Sequence, residues 1–265
     1  MQEQEIIGSR HPSAILPAER RDLLLARLRA DGKLVARELA TELGLSEDSL
    51  RRDLRDLAAA GLCQRVYGGA LPPSPAVVGY AERAAVAPAS KSRVAARAAE
   101  LITPGSTVIL DGGTTTLAVV RALPPGLSCT VITHSPAIAT ALLDHPAVEV
   151  FVLGGRLFRH SAVTCGAAAA AAAAGVSADM FLLGVTGVHP AEGLTTGDAE
   201  EAAMKRILAG RAADTYVLAS AEKIGAASRY SVLPLSDVAG IVTDTPLDDP
   251  AIAALTELGT PIIPA

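Results

Sequence analysis

Residues 35–54 read VARELATELGLSEDSLRRDL, two short amphipathic segments separated by Gly44. Apolar residues recur at helical spacing on both sides of the glycine: Val35, Leu39 and Leu43 before it, and Leu50, Leu54 and Leu57 after it. Ser46 is a favoured helix N-cap, and Asp48 in the first turn suits the helix dipole. The pattern predicts two helices joined by a tight turn, which is the helix-turn-helix layout.

The second of these helices has a basic outer face. A rotation of about 100° per residue places Arg52 and Arg55 opposite the leucine stripe and Arg51 on its flank. Arginine can bind guanine edges in the major groove or clamp a phosphate, so the face indicates DNA binding. A plain three-helix subdomain with solvated arginines is the alternative, and spacing alone leaves both open.

The flanking segments complete a small domain. Residues 18–30 place Leu24 and Leu28 at helical spacing, and Asp31-Gly32 ends that helix. Residues 62–67 predict a short strand, followed by a hairpin turn at Gly68-Gly69. A strand pair after a helix-turn-helix forms a wing, which here would carry Arg65 and Tyr67 near the DNA phosphates.

The overall composition fits a reduced, cytoplasmic setting. The net charge is −5, yet basic and acidic residues balance at eleven each in residues 1–70, so the acidic excess lies beyond them. The three cysteines are far apart and form no C-x-x-C motif. The N-terminus is polar, and no stretch has the length and hydrophobicity of a membrane span. We expect neither membrane association nor a metal site, since the histidines do not cluster.

The N-terminal motifs resemble those of the DeoR family of bacterial transcriptional regulators. Members carry V-x-x-L-A-x-x-x-x-V-S-x-x-T-I-R-R-D-L and then G-x-x-x-R-x-x-G-G-A, matched here by residues 35–54 and by GLCQRVYGGA at 61–70. Ser49 and Leu50 replace the usual Thr and Ile. The resemblance implies a winged helix-turn-helix over residues 18–72 that binds a double-stranded DNA operator. The residues it implies for DNA contact are Ser46, Ser49, Arg51, Arg52, Arg55, Arg65 and Tyr67.

Beyond this domain the sequence predicts an α/β fold. We expect a flexible tail over residues 1–17, a proline-rich linker over 73–88, and a larger domain over 89–265. Strand-like runs occupy 106–110, 129–133, 148–153, 179–185, 215–220 and 239–244, and helices are expected at 90–102, 115–122, 135–144, 198–211 and 249–258. This alternation predicts a mostly parallel sheet covered by helices on both faces, with ligands at the carboxyl ends of its strands. The alanine run 167–174 predicts a helix, to which we assign no function.

Three strand ends carry candidate ligand-binding residues. DGGTTT, from Asp111, suits a phosphate at a helix N-terminus, although a plain strand-helix turn explains it equally well. The glycines and arginine of VLGGR, at 152–156, form either a tight turn or an anion contact. In GDAEEAAMK, at 197–205, Asp198 is a helix cap, and a surface salt bridge between Glu201 and Lys205 is the simpler interpretation.

The second domain also resembles the DeoR family. Its motifs K-x-x-I-A-x-x-A, D-x-G-T-T, V-x-T-N-S, G-G and G-L…D-x-E-x-x-x-K match KSRVAARA, DGGTTT, VITHS, LGGR and GLTTGDAEEAAMK. The family domain is similar to ribose-5-phosphate isomerase and binds phosphorylated sugars or related metabolites. By that likeness, Gly113 to Thr116 would hold the phosphate. The full implied effector set is Lys91, Asp111, Gly113, Thr114, Thr115, Thr116, His134, Gly155, Arg156, Asp198, Glu201, Lys205 and Lys223.

Two departures from the family pattern lie near this expected site. His134 replaces the frequent Asn of T-N-S, and we interpret it as a packed or hydrogen-bonded residue rather than a phosphate donor. The family's late D-x-S-K motif reads Ser220-Ala221-Glu222-Lys223 here, so the lysine remains but Ser220 replaces the Asp. Both changes leave the identity of the effector open.

Together, these features predict a homo-oligomeric regulator, most simply a repressor of carbohydrate metabolism genes controlled by a phosphorylated sugar. It would need no cofactor and would not be an enzyme. The alternative is a sugar-phosphate isomerase in which Asp111, Glu201 and Lys205 supply acid–base groups. A third possibility is a sensor that has lost DNA affinity and acts through protein contacts.

Overall fold

A computed structural model describes residues 16–73 and 79–265 of the chain. The chain divides into two compact units, residues 1–72 and 73–265. Most of the tail expected at 1–17 lies outside the described residues, and the first helix already begins at Pro17.

The first unit is a winged helix-turn-helix, as predicted. Its elements are α1 (Pro17–Asp31), β1 (Leu34–Val35), α2 (Ala36–Leu43), α3 (Glu47–Ala59), β2 (Gln64–Val66) and β3 (Gly69–Leu71). Gly44 ends α2 at φ 64°, a left-handed conformation that glycine adopts without the steric cost of a Cβ. Ser46 caps α3 by accepting a hydrogen bond from the amide of Ser49 at 3.2 Å. Leu24, Leu50 and Leu54 are almost fully buried and form its core.

The wing differs in detail from the expected hairpin. Val66 pairs with Gly69, so the two-residue turn is Tyr67-Gly68 and Gly69 belongs to β3. A Cβ on Gly69 would lie 1.8 Å from the carbonyl oxygen of Leu34, so only glycine lets β3 approach β1 this closely. The sheet order is β1-β3-β2, and the two-residue β1 is too short to show in the sequence pattern.

A buried carboxylate joins α1 to α3. Asp53 is 3% exposed and pairs with Arg20, while Arg21 lies 3.7 Å from its other oxygen. Asp53 shares the buried side of α3 with the leucines, and the ion pair satisfies the charge that burial would otherwise penalise. The arginines of α1 therefore have a structural role that helical spacing did not indicate.

The second unit contains a seven-stranded, all-parallel sheet of order β15-β14-β12-β9-β4-β5-β6. Its strands are β4 (Thr107–Leu110), β5 (Cys129–Thr133), β6 (Val148–Val152), β9 (Ala178–Gly184), β12 (Ala212–Leu218), β14 (Gly240–Thr243) and β15 (Ile262–Pro264). Smaller sheets are made by β7 (Arg156–Phe158) with β8 (Val163–Cys165), and by β10 (Gly187–His189), β11 (Gly193–Thr196) and β13 (Tyr230–Ser231). The short strands β7, β8, β10, β11, β13 and β15 were not predicted.

Helices cover both faces of this sheet. They are α4 (Tyr80–Ala85), α5 (Pro88–Ala99), α6 (Thr114–Ala122), α7 (Pro136–Ala141), α8 (Ala167–Ala174), α9 (Ala199–Ala209) and α10 (Pro250–Glu257). Alternate strand residues face opposite cores, since Val108 and Leu110 pack with α5, α6 and α7. Ile109 packs instead with α8, α9 and α10. The α/β prediction is thus confirmed, including a helix in the alanine run.

The segment expected to be a linker contains regular structure where it is described. Residues 74–78 lie outside the described residues, but α4 and the start of α5 occupy most of 80–88. They belong to the second unit because Arg83 donates to the carbonyl of His160, and the Lys91 ammonium donates to the carbonyl of Arg83. No helix in the described ranges is both long and apolar enough to cross a membrane.

Candidate functional site

The carboxyl ends of the central strands form the candidate site of the second unit. β4 is flanked by β5 on one side and by β9 on the other. From β4 the chain adds β5 and β6 on one side, and it then adds β9 and the later strands on the other side, so the strand order reverses between β4 and β9. Such a switch point leaves a crevice beyond the strand ends. Asp111 follows β4 directly, and Gly184 ends β9 on the other side of the crevice.

Asp111 anchors the floor of the crevice. Its carboxylate is fully buried and accepts hydrogen bonds from the amides of Gly112 (2.7 Å) and Gly184 (2.9 Å). It also pairs with the ammonium group of Lys205 on α9. The nitrogen of that ammonium group lies 3.4 Å from a carboxylate oxygen of Glu201. Burial alone would raise the pKa of Asp111, but Lys205 and the His134 hydrogen bond hold it at about 2. Burial likewise opposes the charged form of Lys205, and Asp111 and Glu201 together raise its pKa above the ordinary value.

The interpretation of Glu201 and Lys205 as a surface pair is wrong. Their side chains are 8% and 3% exposed, and Lys205 also donates to the carbonyl of Gly184 at 2.9 Å. Helical spacing brought them together as expected, but α9 packs this side against the strand ends rather than against solvent. Their i, i+4 spacing is the same in both situations, which is why the sequence favoured the simpler alternative.

A cavity lies above this floor, at the start of α6. It is lined by residues 112–116 and by residues from five other parts of the second unit, namely 83–91, Ser161, 184–186, 196–205 and 222–223. The predicted effector residues in its walls are Lys91, Gly113, Thr114, Thr115, Thr116, Glu201, Lys205 and Lys223. Gly113 caps α6 at φ 121°, so glycine presents the first turn of the helix toward the cavity without strain. Helix N-termini of this kind favour anions.

Cationic side chains surround the same cavity. Lys223 is 6% exposed and donates to the hydroxyl of Thr115 at 3.2 Å. Burial lowers its pKa to about 8, although nearby Glu222 acts in the opposite direction. Burial also lowers the pKa values of Lys91 and Arg83. Positive charge held in a poorly solvated space is favoured when an anion enters, because the anion replaces the lost hydration.

The other predicted effector residues lie outside the cavity walls. Asp111 lies in the floor, and His134 is fully buried behind it, with ring nitrogens 2.9 Å from Asp111 and from the Thr164 carbonyl. His134 is therefore packed and hydrogen-bonded, as expected from the sequence, and its position does not favour a direct contact with the effector. Asp198 caps α9 through the amides of Glu200 and Glu201.

The residues of the VLGGR turn are also not among those that line the cavity. Gly155 packs against Ala169 of α8, where a Cβ would approach to 2.9 Å. Arg156 is 67% exposed and pairs with Glu200. Both residues serve local structure, in line with the tight-turn interpretation of this segment.

Several cavity residues were missed by the sequence reasoning. Arg83 reaches the cavity from α4, Ser161 from the turn between β7 and β8, and Glu222 from the 3-10 turn Ala221–Lys223. Of these three residues, only Glu222 had a signal in the sequence, since it adjoins Lys223, a predicted site residue. Arg83 comes from the segment expected to be a linker and Ser161 from a stretch to which no element was assigned, and only the tertiary fold brings them to the strand ends.

The first unit presents the predicted arginine face on α3. Arg52 and Arg55 are exposed, and within residues 16–73 neither forms an ion pair. Arg51 instead pairs with Glu47 at 2.7 Å and approaches Asp48 at 3.5 Å on its own helix.

On the wing, Arg65 is exposed and Tyr67 projects fully into solvent. Ser46 and Ser49 are joined by hydrogen bonds at the start of α3, where Ser46 acts as the cap.

Comparison with known proteins agrees with this division. Residues 20–76 match the family model of the DeoR-like helix-turn-helix domain, and residues 87–245 match that of the DeoR C-terminal sensor domain. The chain is 31% identical to the HTH-type transcriptional regulator GlpR of Haloferax volcanii, over 94% of this chain and 98% of that protein. It is 30% identical to the HTH-type transcriptional repressor GlcR of Bacillus subtilis, over 85% of this chain and 88% of the relative.

A solved structure also aligns with part of the chain. Ribose 5-phosphate isomerase A from Methanocaldococcus jannaschii aligns with a TM-score of 0.37 and 18% identity, over 50% of this chain and 52% of the isomerase. The two domain matches and the full-length relatives are the stronger finding. They show that this chain belongs to the DeoR family of DNA-binding transcriptional regulators.

Proposed function

We propose that the protein represses carbohydrate metabolism genes and that a phosphorylated sugar or related metabolite controls its binding to the operator. The observation that carries the proposal is the cavity of the second unit. There the N-terminal turn of α6 faces the same space as Lys91 and Lys223. Relatives named as repressors support the assignment on the DNA side.

The phosphate end of the effector would occupy the start of α6. Backbone N–H groups at residues 113–116 and the hydroxyls of Thr114 and Thr115 supply donors, and Lys223 supplies charge beside Thr115. Oriented donors in a partly enclosed site bind phosphate well because they need little rearrangement. Lys205 is already paired with Asp111, so its main contribution is to hold the floor of the cavity rigid and to balance the charge of that carboxylate.

The operator would be read by α3. Arg52 and Arg55 are available for base or phosphate contacts, while Arg65 and Tyr67 on the wing would lie along the backbone. A single winged unit contacts a short half-site, so we propose that a homo-oligomer reads repeated half-sites. Effector and operator would favour different arrangements of the protein, with a coupling free energy on the order of 1–3 kcal/mol.

The first test is selection of bound fragments from genomic DNA, with and without a panel of sugar phosphates. We expect enrichment of a repeated motif that one member of the panel disperses. Two matched variants locate the effects: Arg52→Ala should abolish enrichment, and Lys223→Met should retain enrichment but lose the response to the sugar phosphate. No enrichment at low salt, where phosphate contacts are strongest, would contradict the proposal.

The isomerase alternative is tested on the same purified protein. Asp111, Glu201 and Lys205 do lie together, but the relatives are named as regulators rather than enzymes. Turnover of pentose or hexose phosphates that disappears in Glu201→Gln would favour the enzyme. Ligand-dependent DNA release without turnover would favour the regulator.

A further inference from the structure

Polar side chains in the cavity walls, Thr116, Ser161 and Glu222 among them, have a buried hydrogen-bonding atom without a partner among the described residues. The hydroxyl of Ser161, a residue only 2% exposed, has no hydrogen-bond partner among the described residues. One carboxylate oxygen of Glu222, Oε2, is likewise buried and unpartnered within those residues, whereas Oε1 accepts from Ser220 at 2.7 Å. Buried polar atoms are normally paired, so several such atoms lining one cavity point to a ligand that supplies the partners.

The chemistry of these atoms differs from that of the phosphate end. An ionised carboxylate only accepts hydrogen bonds, and a serine hydroxyl can accept or donate one. Glu222 would repel a phosphate group but would attract a hydroxyl or ammonium hydrogen.

We propose that Ser161 and Glu222 form a second subsite, which recognises a hydrogen-bond donor on the effector, a hydroxyl or an ammonium group. This inference rests on the proposed function, because it assigns the non-phosphate end of the same ligand. The cavity then selects a phosphorylated polyol or amino sugar over a bare phosphate. Glu222 is its specificity-determining residue.

Glu222 also affects the phosphate end through charge. Lys223 and Lys91 face the same cavity, and the electrostatic influence of Glu222 reaches both of them. A phosphate entering beside these lysines meets the opposing field of the carboxylate. Removal of that negative charge therefore favours a bare anion, but it also removes the partner of the donor group on the sugar. The two ligands respond in opposite directions.

The experiment is calorimetric titration of the full chain at pH 6.5, where Lys223 is protonated. The probes are inorganic phosphate and three hexose phosphates that differ at carbon 2: glucose 6-phosphate, glucosamine 6-phosphate and 2-deoxyglucose 6-phosphate. In Glu222→Gln we expect the best-bound hexose phosphate to lose about tenfold in affinity, the size of one hydrogen bond to a charged group, and inorganic phosphate to gain. Ser161→Ala should weaken the hexose phosphate and leave inorganic phosphate unchanged.

Controls separate this subsite from damage to the site and from failure of the proposed function. Lys223→Met should weaken both classes of probe, and Glu222→Ser should behave as Glu222→Gln if the carboxylate itself matters. Equal losses of phosphate and hexose phosphate in Glu222→Gln, or no loss of either, would overturn the second subsite. Wild-type protein that binds every hexose phosphate no better than inorganic phosphate would overturn it too, while leaving a phosphate site intact. Absence of binding by any probe would contradict the proposed function itself.

Discussion

The two units of this protein use basic side chains in opposite ways. On α3 of the first unit, Arg52 and Arg55 are exposed to solvent. In the second unit, Lys205 and Lys223 are 2% and 6% exposed. A solvated arginine carries almost no desolvation penalty and stays available to bind a polyanion. A buried ammonium group, by contrast, must be paired within the protein or by a ligand. Lys205 has its partner in Asp111, whereas Lys223 has, in the part of the chain that the structure describes, only a hydroxyl and the nearby Glu222.

The difference suggests a division of roles within the cavity itself. Lys205 is committed to holding the strand ends together, and its raised pKa keeps it charged at any ordinary pH. Lys223 is less well compensated, and its lowered pKa records the unfavourable free energy of its charge. An anion that enters the cavity recovers that free energy. The less satisfied cation is therefore the better sensor of a ligand.

The largest expected effect, on the free energy of unfolding, comes from removing Lys205, the cation that is paired with Asp111. Lys205→Met leaves the fully buried carboxylate of Asp111 without its counter-charge, and we expect the second unit to lose about 3–5 kcal/mol of unfolding free energy. Urea denaturation measures it, with Arg55→Met as the matched control for an exposed cation. A loss as small as that of the control would show that Asp111 is stabilised chiefly by its amide and histidine hydrogen bonds.

The next effect concerns the exposed arginines. We expect Arg52→Ala to weaken operator binding at least tenfold while the unfolding free energy stays constant, because the side chain contacts solvent in the free protein. Fluorescence anisotropy over a range of salt concentrations measures both affinity and the number of phosphate contacts. Arg51→Ala is the comparison, since Arg51 is paired on its own helix. Unchanged affinity and salt dependence in Arg52→Ala would mean that another face of the unit meets DNA.

A pH dependence distinguishes the sensing cation from the structural one. Lys223 has a pKa of about 8 in the free protein, and a bound anion favours its charged form. Affinity for a sugar phosphate should therefore be highest near pH 7, where the lysine is protonated and the phosphate, with a second pKa of about 6, is mostly a dianion. Above pH 8 it should fall by up to tenfold per pH unit, as binding takes up a proton. Titrations between pH 7.5 and 9.5 test this, and Lys223→Arg should remove the dependence because arginine stays protonated. A wild-type affinity that is flat through pH 9 would exclude Lys223 from the site.

The smallest effect is expected where an exposed ion pair is removed. Arg156 was a predicted effector residue, but it lies outside the cavity and pairs with Glu200 near the surface. Arg156→Ala should change the unfolding free energy by less than about 0.5 kcal/mol and leave effector affinity unchanged. A clear loss of effector affinity in calorimetry would restore Arg156 to the site.

Much of the local structure could be read from residue spacing. The leucines of α2 and α3 repeat every three or four residues, and they are buried in the structure. The six long strands were found within a few residues of their observed positions, because hydrophobic runs and their flanking glycines are local signals. Short strands such as β1 and β10 were missed, since two or three residues carry no periodicity of their own.

The composition of the cavity could be predicted only in part. Asp111 and the following glycines and threonines form one continuous strand-to-helix turn, so this part of the site could be recognised in the sequence. Arg83 and Ser161 come from distant segments without a motif. Asp53 was overlooked because a carboxylate among leucines on α3 is expected to face solvent, and its burial depends on arginines more than thirty residues earlier.

By itself, the sequence determined the types and approximate limits of the main elements, the basic face of α3, and the presence of a glycine- and threonine-rich turn after β4. These depend on interactions between residues close together in the chain. The tertiary structure decided that β9 lies beside β4 and that α9 turns Glu201 and Lys205 inward. It also decided which polar atoms in the cavity remain unpaired. Those outcomes depend on strand order and helix packing, which are set by the burial of the whole sheet rather than by any one segment.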